Sequence, residues 1–173
     1  MHVLAPLLSV ACLVPLGYAA WSDIARRLIP DWAPAWLAAL GIAAGVLRGP
    51  HALLFSAATA AILFAALAVL HGRGILGGGD VKLAAAVAIG LPASAVGSFL
   101  AATALAGGVI ALVHLALRPL APSVQVARRT PPSRWSLPRR VWATECWRIR
   151  RRGSLPYGVA IVAGGVITLF GGG

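Results

Sequence analysis

Acidic residues are the scarcest resource in this chain: Asp23, Asp31, Asp80 and Glu145 are the only four in 173 residues. Charged residues of both signs make up 11%, where soluble domains carry about a quarter. The two cysteines, Cys12 and Cys146, form no framework and no CxxC metal motif. A positively charged start is also missing, since only His2 precedes the first apolar run. That run is therefore expected to be a retained transmembrane helix rather than a signal peptide.

What is abundant is apolar: 60% of residues are hydrophobic and the mean hydropathy is +0.87. A soluble domain of this size would expose a large sticky surface. The expected class is an all-α polytopic membrane protein, a single domain over 1–173. Hydropathy marks six apolar segments, at about 2–21, 32–47, 51–70, 81–95, 96–117 and 155–171. The second, fourth and sixth are short for a span of ~20 residues.

The net charge of +11 would suggest nucleic acid in a soluble protein. Here its placement points to topology. Arg26 and Arg27 follow segment 1, and Arg73 and Lys82 flank the connection between segments 3 and 4. Ten arginines lie between segments 5 and 6, so fourteen of the fifteen Lys and Arg fall on one side. Arg48 is alone on the other. Six helices with both ends outside satisfy the positive-inside rule. The basic stretch 119–154 contains RRVWATECWRIRRR. Trp142, Cys146 and Ile149 share a helical face there, which suggests an interfacial helix over 138–151 on anionic lipid rather than a nucleic-acid surface.

This topology brings Asp23 and Asp80 to the same cytoplasmic depth, each at or just beyond the inner end of a span. An acid in that position is costly and marks a functional candidate. Two at one depth suggest a dyad sharing a proton, in which one member activates water and the other protonates the attacked carbonyl. Each has a plainer alternative. Asp80 follows Gly77, Gly78 and Gly79 and could cap the next helix. Asp23 could be a loop acid paired with Arg26 or Arg27. Asp31, just before the second span and followed by Pro34, is expected to be its N-cap. Glu145, among arginines, is expected to be solvated or paired. His71 and Arg73 are read as inner-face anchors, Lys82 as a snorkelling anchor beside the cleft, and Gly107 and Gly108 as a close-packing site.

Three motifs carry a family resemblance. Gly77-Gly78-Gly79-Asp80 is a GxGD motif followed by Val-Lys-Leu. Asp23-Ile-Ala-Arg-Arg-Leu-Ile-Pro resembles a first-aspartate motif, and Leu155-Pro156-Tyr157-Gly158 a C-terminal Pro-aromatic-Gly segment. Together they resemble type IV prepilin peptidases, which are GxGD intramembrane aspartic proteases. The family commonly has Asn where this chain has Asp31, and both residues cap helices well. Larger members carry a cysteine-rich cytoplasmic domain linked to N-methylation. This chain lacks one and looks like the short, peptidase-only form of Flp-type pili. The resemblance implies cleavage of a prepilin after its basic leader at the cytoplasmic face of a prokaryotic plasma membrane. It implies Asp23 and Asp80 as catalytic pair, no metal or cofactor, and no methyltransferase activity. Gly77 and Gly79 would let substrate backbone approach, and Pro156, Tyr157 and Gly158 would shape the cleft floor. The alternatives are a presenilin-like or signal-peptide-peptidase-like protease and an ion-coupled transporter using the same acids. The former carry Pro-Ala-Leu where this chain has Pro-Tyr-Gly, and the latter would place its acids at the midplane.

Overall fold

Glycine and proline punctuate the apolar runs and set the helix boundaries. In the computed structural model, which describes residues 4–117 and 155–171, every regular element is helical. The helices are α1 (Leu4–Arg26), α2 (Trp32–Arg48), α3 (Pro50–Gly72), α4 (Gly78–Gly90), α5 (Val96–Leu117) and α6 (Tyr157–Gly171). One 3-10 turn, Ala93–Ala95, precedes α5. Pro50 starts α3 at a position whose N–H a helix does not use.

The expected segments and the helices agree in order, with shifted ends. α1 runs five residues past its expected end at 21, so Asp23 sits in its last turn and not in a loop. α4 begins three residues early, which puts Asp80 in its first turn, and stops at Gly90. Pro92 ends that run, since its ring cannot continue a helix. The basic stretch 119–154, with Trp142, Glu145, Cys146 and Ile149, lies outside the described residues.

Three stretches are long and apolar enough to cross a membrane: Leu7–Arg26, Pro50–Gly72 and Ala93–Leu117. α2 and α6 are apolar but shorter. Large apolar side chains such as Val14, Ile62 and Leu105 point outward, which in water would be a severe liability and in lipid is favourable.

α4 is the central helix, packed against α2, α3 and α6. Val81 and the whole run Leu83–Ala88 are buried, and four of those residues are alanine. Small side chains allow this enclosure, and close backbone contact supplies the packing where little hydrophobic force acts between helices in lipid. At the α2–α4 contact, a β-carbon added at Gly41 would lie 2.7 Å from the backbone nitrogen of Gly90. Ser56 of α3 donates to the carbonyl of Leu91 at 2.8 Å, tying α3 to the end of α4. The expected packing site at Gly107 and Gly108 is only partly used. Gly107 faces Ala160, Gly108 meets nothing within 4 Å, and the tight α5–α6 approach is at Gly164 against Thr103.

Candidate active site

α1 delivers the first aspartate. Asp23 is 6% exposed although it is one residue beyond Ser22 near the helix end. The chain leaves α1 through Arg27, the one described non-glycine residue with positive φ (56°). An L-residue there costs about 1 kcal/mol. Its N–H still bonds the carbonyl of Asp23 at 2.9 Å. Ser22 then donates to the carbonyl of Leu28 at 2.6 Å. That bond pins the turn carrying Ile29, which is buried.

The second aspartate comes from α4. Gly77 is the N-cap residue, with extended backbone at φ −70°, so Asp80 is third in the helix. Its carboxylate reaches back to the backbone N–H of Gly77, the reciprocal half of a capping box. A β-carbon at Gly77 would lie 2.8 Å from Oδ2 of Asp80. The capping alternative thus holds in altered form, because Asp80 caps from inside the helix and remains beside Asp23.

α6 closes the site. Its third N–H, on Val159, donates to Oδ2 of Asp23 at 3.3 Å. Pro156 precedes the helix and has no side-chain acceptor, so an acid 136 residues upstream supplies the missing cap. Gly158 makes this approach feasible: a β-carbon there would lie 2.9 Å from Oδ2 of Asp23 and 3.0 Å from Cδ1 of Ile29. Ile29 also covers Gly79, where an added β-carbon would be 3.0 Å from Cβ of Ile29. One isoleucine therefore spaces the two helix N-termini apart. At Gly77 and Gly79 the space a β-carbon would take is filled by the Asp80 carboxylate and by Ile29.

The electrostatics follow. Asp80 lies ahead of the apolar run 81–95. Burial, and then the negative charge of Asp23, push its carboxyl up to about 6, against the opposing pull of the Gly77 N–H and the Arg27 charge. Asp80 sits at the N-terminus of α4 and the Asp23 carboxylate faces that of α6, where the dipole favours negative charge, while the C-terminal end of α1 that carries Asp23 opposes it.

Asp31 departs from expectation. It occupies the N-cap position of α2, but its side chain makes no capping bond. Its carboxylate instead pairs with Lys82 at 2.6 Å, with the two side chains 78% and 52% exposed. Lys82 thus anchors to α2. Tyr157 is exposed at the mouth of an apolar cavity of about 380 Å³, whose lining includes Leu76, Ala84, Phe99, Leu155 and Ile161. Ala84, one turn beyond Asp80 on α4, is among its lining residues.

Sequence reasoning missed two side chains. Ile29 has no evident role within DIARRLIP, where its place directly before Pro30 is the available signal. His71, read as an anchor, instead folds onto the turn before Asp80.

A family model described as the type IV leader peptidase family matches residues 10–112. The chain belongs to this family. It is accordingly a peptidase, and the match contains both aspartates. No match was found among curated proteins or among solved structures. The leader-peptidase match ends within α5, so α6 joins the site through the Asp23–Val159 bond and the Gly158 contact rather than through the matched stretch.

Proposed function

We propose that this leader peptidase is an aspartic protease that cleaves a type IV, Flp-like prepilin between its basic leader and its hydrophobic helix, with Asp23 and Asp80 as the catalytic pair. The observation that carries the reading is that Asp23 and the turn bearing Asp80, 57 positions apart, converge on Ile29, whose side chain lies 3.0 Å from the β-carbon positions of both Gly158, beside Asp23 Oδ2, and Gly79, beside Asp80. A dyad needs one ionised and one protonated member at working pH. The pair titrates as a unit, so acid and base are roles of the dyad. The ionised carboxylate takes a proton from water, whose oxygen attacks the scissile carbonyl carbon. The protonated carboxyl donates to the carbonyl oxygen. Collapse of the tetrahedral intermediate breaks the C–N bond, the amine leaves with a proton, and the dyad is restored.

The membrane arrangement supports the same reading. Six crossings with both ends outside, the arrangement the positive charges favour, would put the aspartates at the cytoplasmic face, where the precursor's leader would lie. α4, at 13 residues, is only ~20 Å long, shorter than the ~30 Å hydrocarbon core. Enclosure by α2, α3 and α6 spares it contact with lipid. The apolar cavity lined by Ala84 of α4 suits the hydrophobic part of a precursor.

The test is co-expression with a prepilin from the same source, following leader removal by gel mobility. The reading requires cleavage by the native chain and none by the Asp23→Asn, Asp80→Asn double variant. Leader removal by that double variant would end the dyad assignment.

A further inference from the structure

The turn that presents Asp80 is more firmly held than its glycine content suggests. α3 ends in a Schellman arrangement. Gly74, at φ 73°, donates to the carbonyl of His71 at 2.8 Å, and Ile75 to that of Leu70 at 3.1 Å. These bonds fix residues 74 and 75. Residue 76 is held by a side chain: Nδ1 of His71 lies 2.8 Å from the carbonyl oxygen of Leu76. A carbonyl can only accept, so Nδ1 carries the hydrogen. Next comes Gly77, whose N–H bonds the Asp80 carboxylate and whose carbonyl accepts from Val81 at 3.2 Å.

The other edge of the same imidazole fills a second space. Its Cε1 and Nε2 lie 3.3 and 3.4 Å from where a β-carbon on Gly78 would stand. Gly78 is the variable residue of the GxGD motif. In this chain its side-chain space is taken by His71.

We propose that His71 is a positioning residue for Asp80, clamping the Leu76–Gly77 peptide through Nδ1 and packing its ring over Gly78. The proposal rests on the reading of Asp80 as half of the dyad. Its logic is serial: α3 fixes residues 74 and 75, His71 fixes 76, and the peptide so oriented aims the Gly77 N–H at the carboxylate. Without the middle link that peptide rotates, and Asp80 loses its fixed direction. The clamp also explains why a residue outside all three motifs has a role in the site.

His71→Leu and His71→Asn separate the two functions of the ring. Leucine has no donor. Asparagine keeps a donor at the same branch position and has no atoms corresponding to Cε1 and Nε2. The full chain in detergent is assayed in two ways: hydrogen–deuterium exchange over residues 76–81, and kinetics of prepilin cleavage. His71→Leu is expected to speed exchange across the turn and lower kcat about tenfold, with KM nearly unchanged. His71→Asn is expected to restore both. Gly78→Ala is expected to reproduce the defect in the native background and to be tolerated in the His71→Asn background.

Exchange and kcat unchanged in His71→Leu would overturn the clamp, as would a His71→Asn variant as impaired as His71→Leu. The exchange measurement decides the clamp even if the native chain cleaves no prepilin, an outcome that would instead defeat the proteolytic reading.

Discussion

The carboxylate of Asp23 accepts a hydrogen bond from the backbone N–H of Val159, 3.3 Å away and 136 positions along the chain. The bond makes one acid do two things, capping α6 and standing beside Asp80. It also ties the last described helix to the first, so the site is complete only when α1 and α6 have packed together.

Gly158→Ala should therefore damage the site directly. The added β-carbon would lie 2.9 Å from Oδ2 of Asp23, and overpacking of this kind costs about 1–3 kcal/mol. Cleavage is expected to fall about tenfold or more, with the chain still inserted and helical by circular dichroism. Gly17→Ala, on α1 and away from the apolar cavity, is the control. Nothing lies within 4 Å of that position, so its rate should match the native one.

Ile29 should behave as a spacer. Ile29→Val removes one methyl and should cost about 0.5–1.5 kcal/mol of stability, whereas Ile29→Ala should cost about 2–5 kcal/mol. Thermal unfolding in detergent reads the stability. Cleavage should fall more steeply than stability, because Gly79 and Gly158 both rest on this side chain.

The raised Asp80 carboxyl makes stability depend on pH. Its value of about 6 exceeds the ordinary 3.8, so the folded state holds this proton more tightly than the unfolded state. Folding is favoured most where both states are protonated, below about pH 4, and the advantage fades as pH rises to about 6. Asp80→Asn removes the group that burial penalises. The variant should melt at a higher temperature than the native chain at neutral pH, with the gap closing toward pH 4. A neutral-pH melting temperature equal to or below the native one would contradict the strained carboxylate.

The Asp31–Lys82 pair should matter little. An exposed ion pair is worth about 0–1 kcal/mol, less in salt, and these side chains are 78% and 52% exposed. Asp31→Asn and Lys82→Ala should each leave cleavage within about threefold of native. A larger loss would show that Lys82 contributes to the site.

Much of this was legible in the sequence, and the rest was hidden for identifiable reasons. Six apolar runs gave the order of the helices because span length and hydropathy are local properties. Asp23, Asp80 and Gly158 stood out because an acid or a Pro-aromatic-Gly segment beside an apolar run is unusual. Asp31 misled because capping is a local rule. The Lys82 ammonium, 51 positions away, outcompetes the cap once α2 and α4 pack side by side. Ile29 and His71 were hidden for a related reason. Nothing local tells an isoleucine that it must separate two helix ends, or a histidine that it faces a glycine across a turn.

The most direct test is the cleavage rate of a prepilin by the purified chain carrying Asp23→Asn or Asp80→Asn singly, with Asp31→Asn beside them. The account predicts that each of the first two loses at least about a thousandfold while the third stays near native. Retained cleavage in either single variant would contradict the dyad.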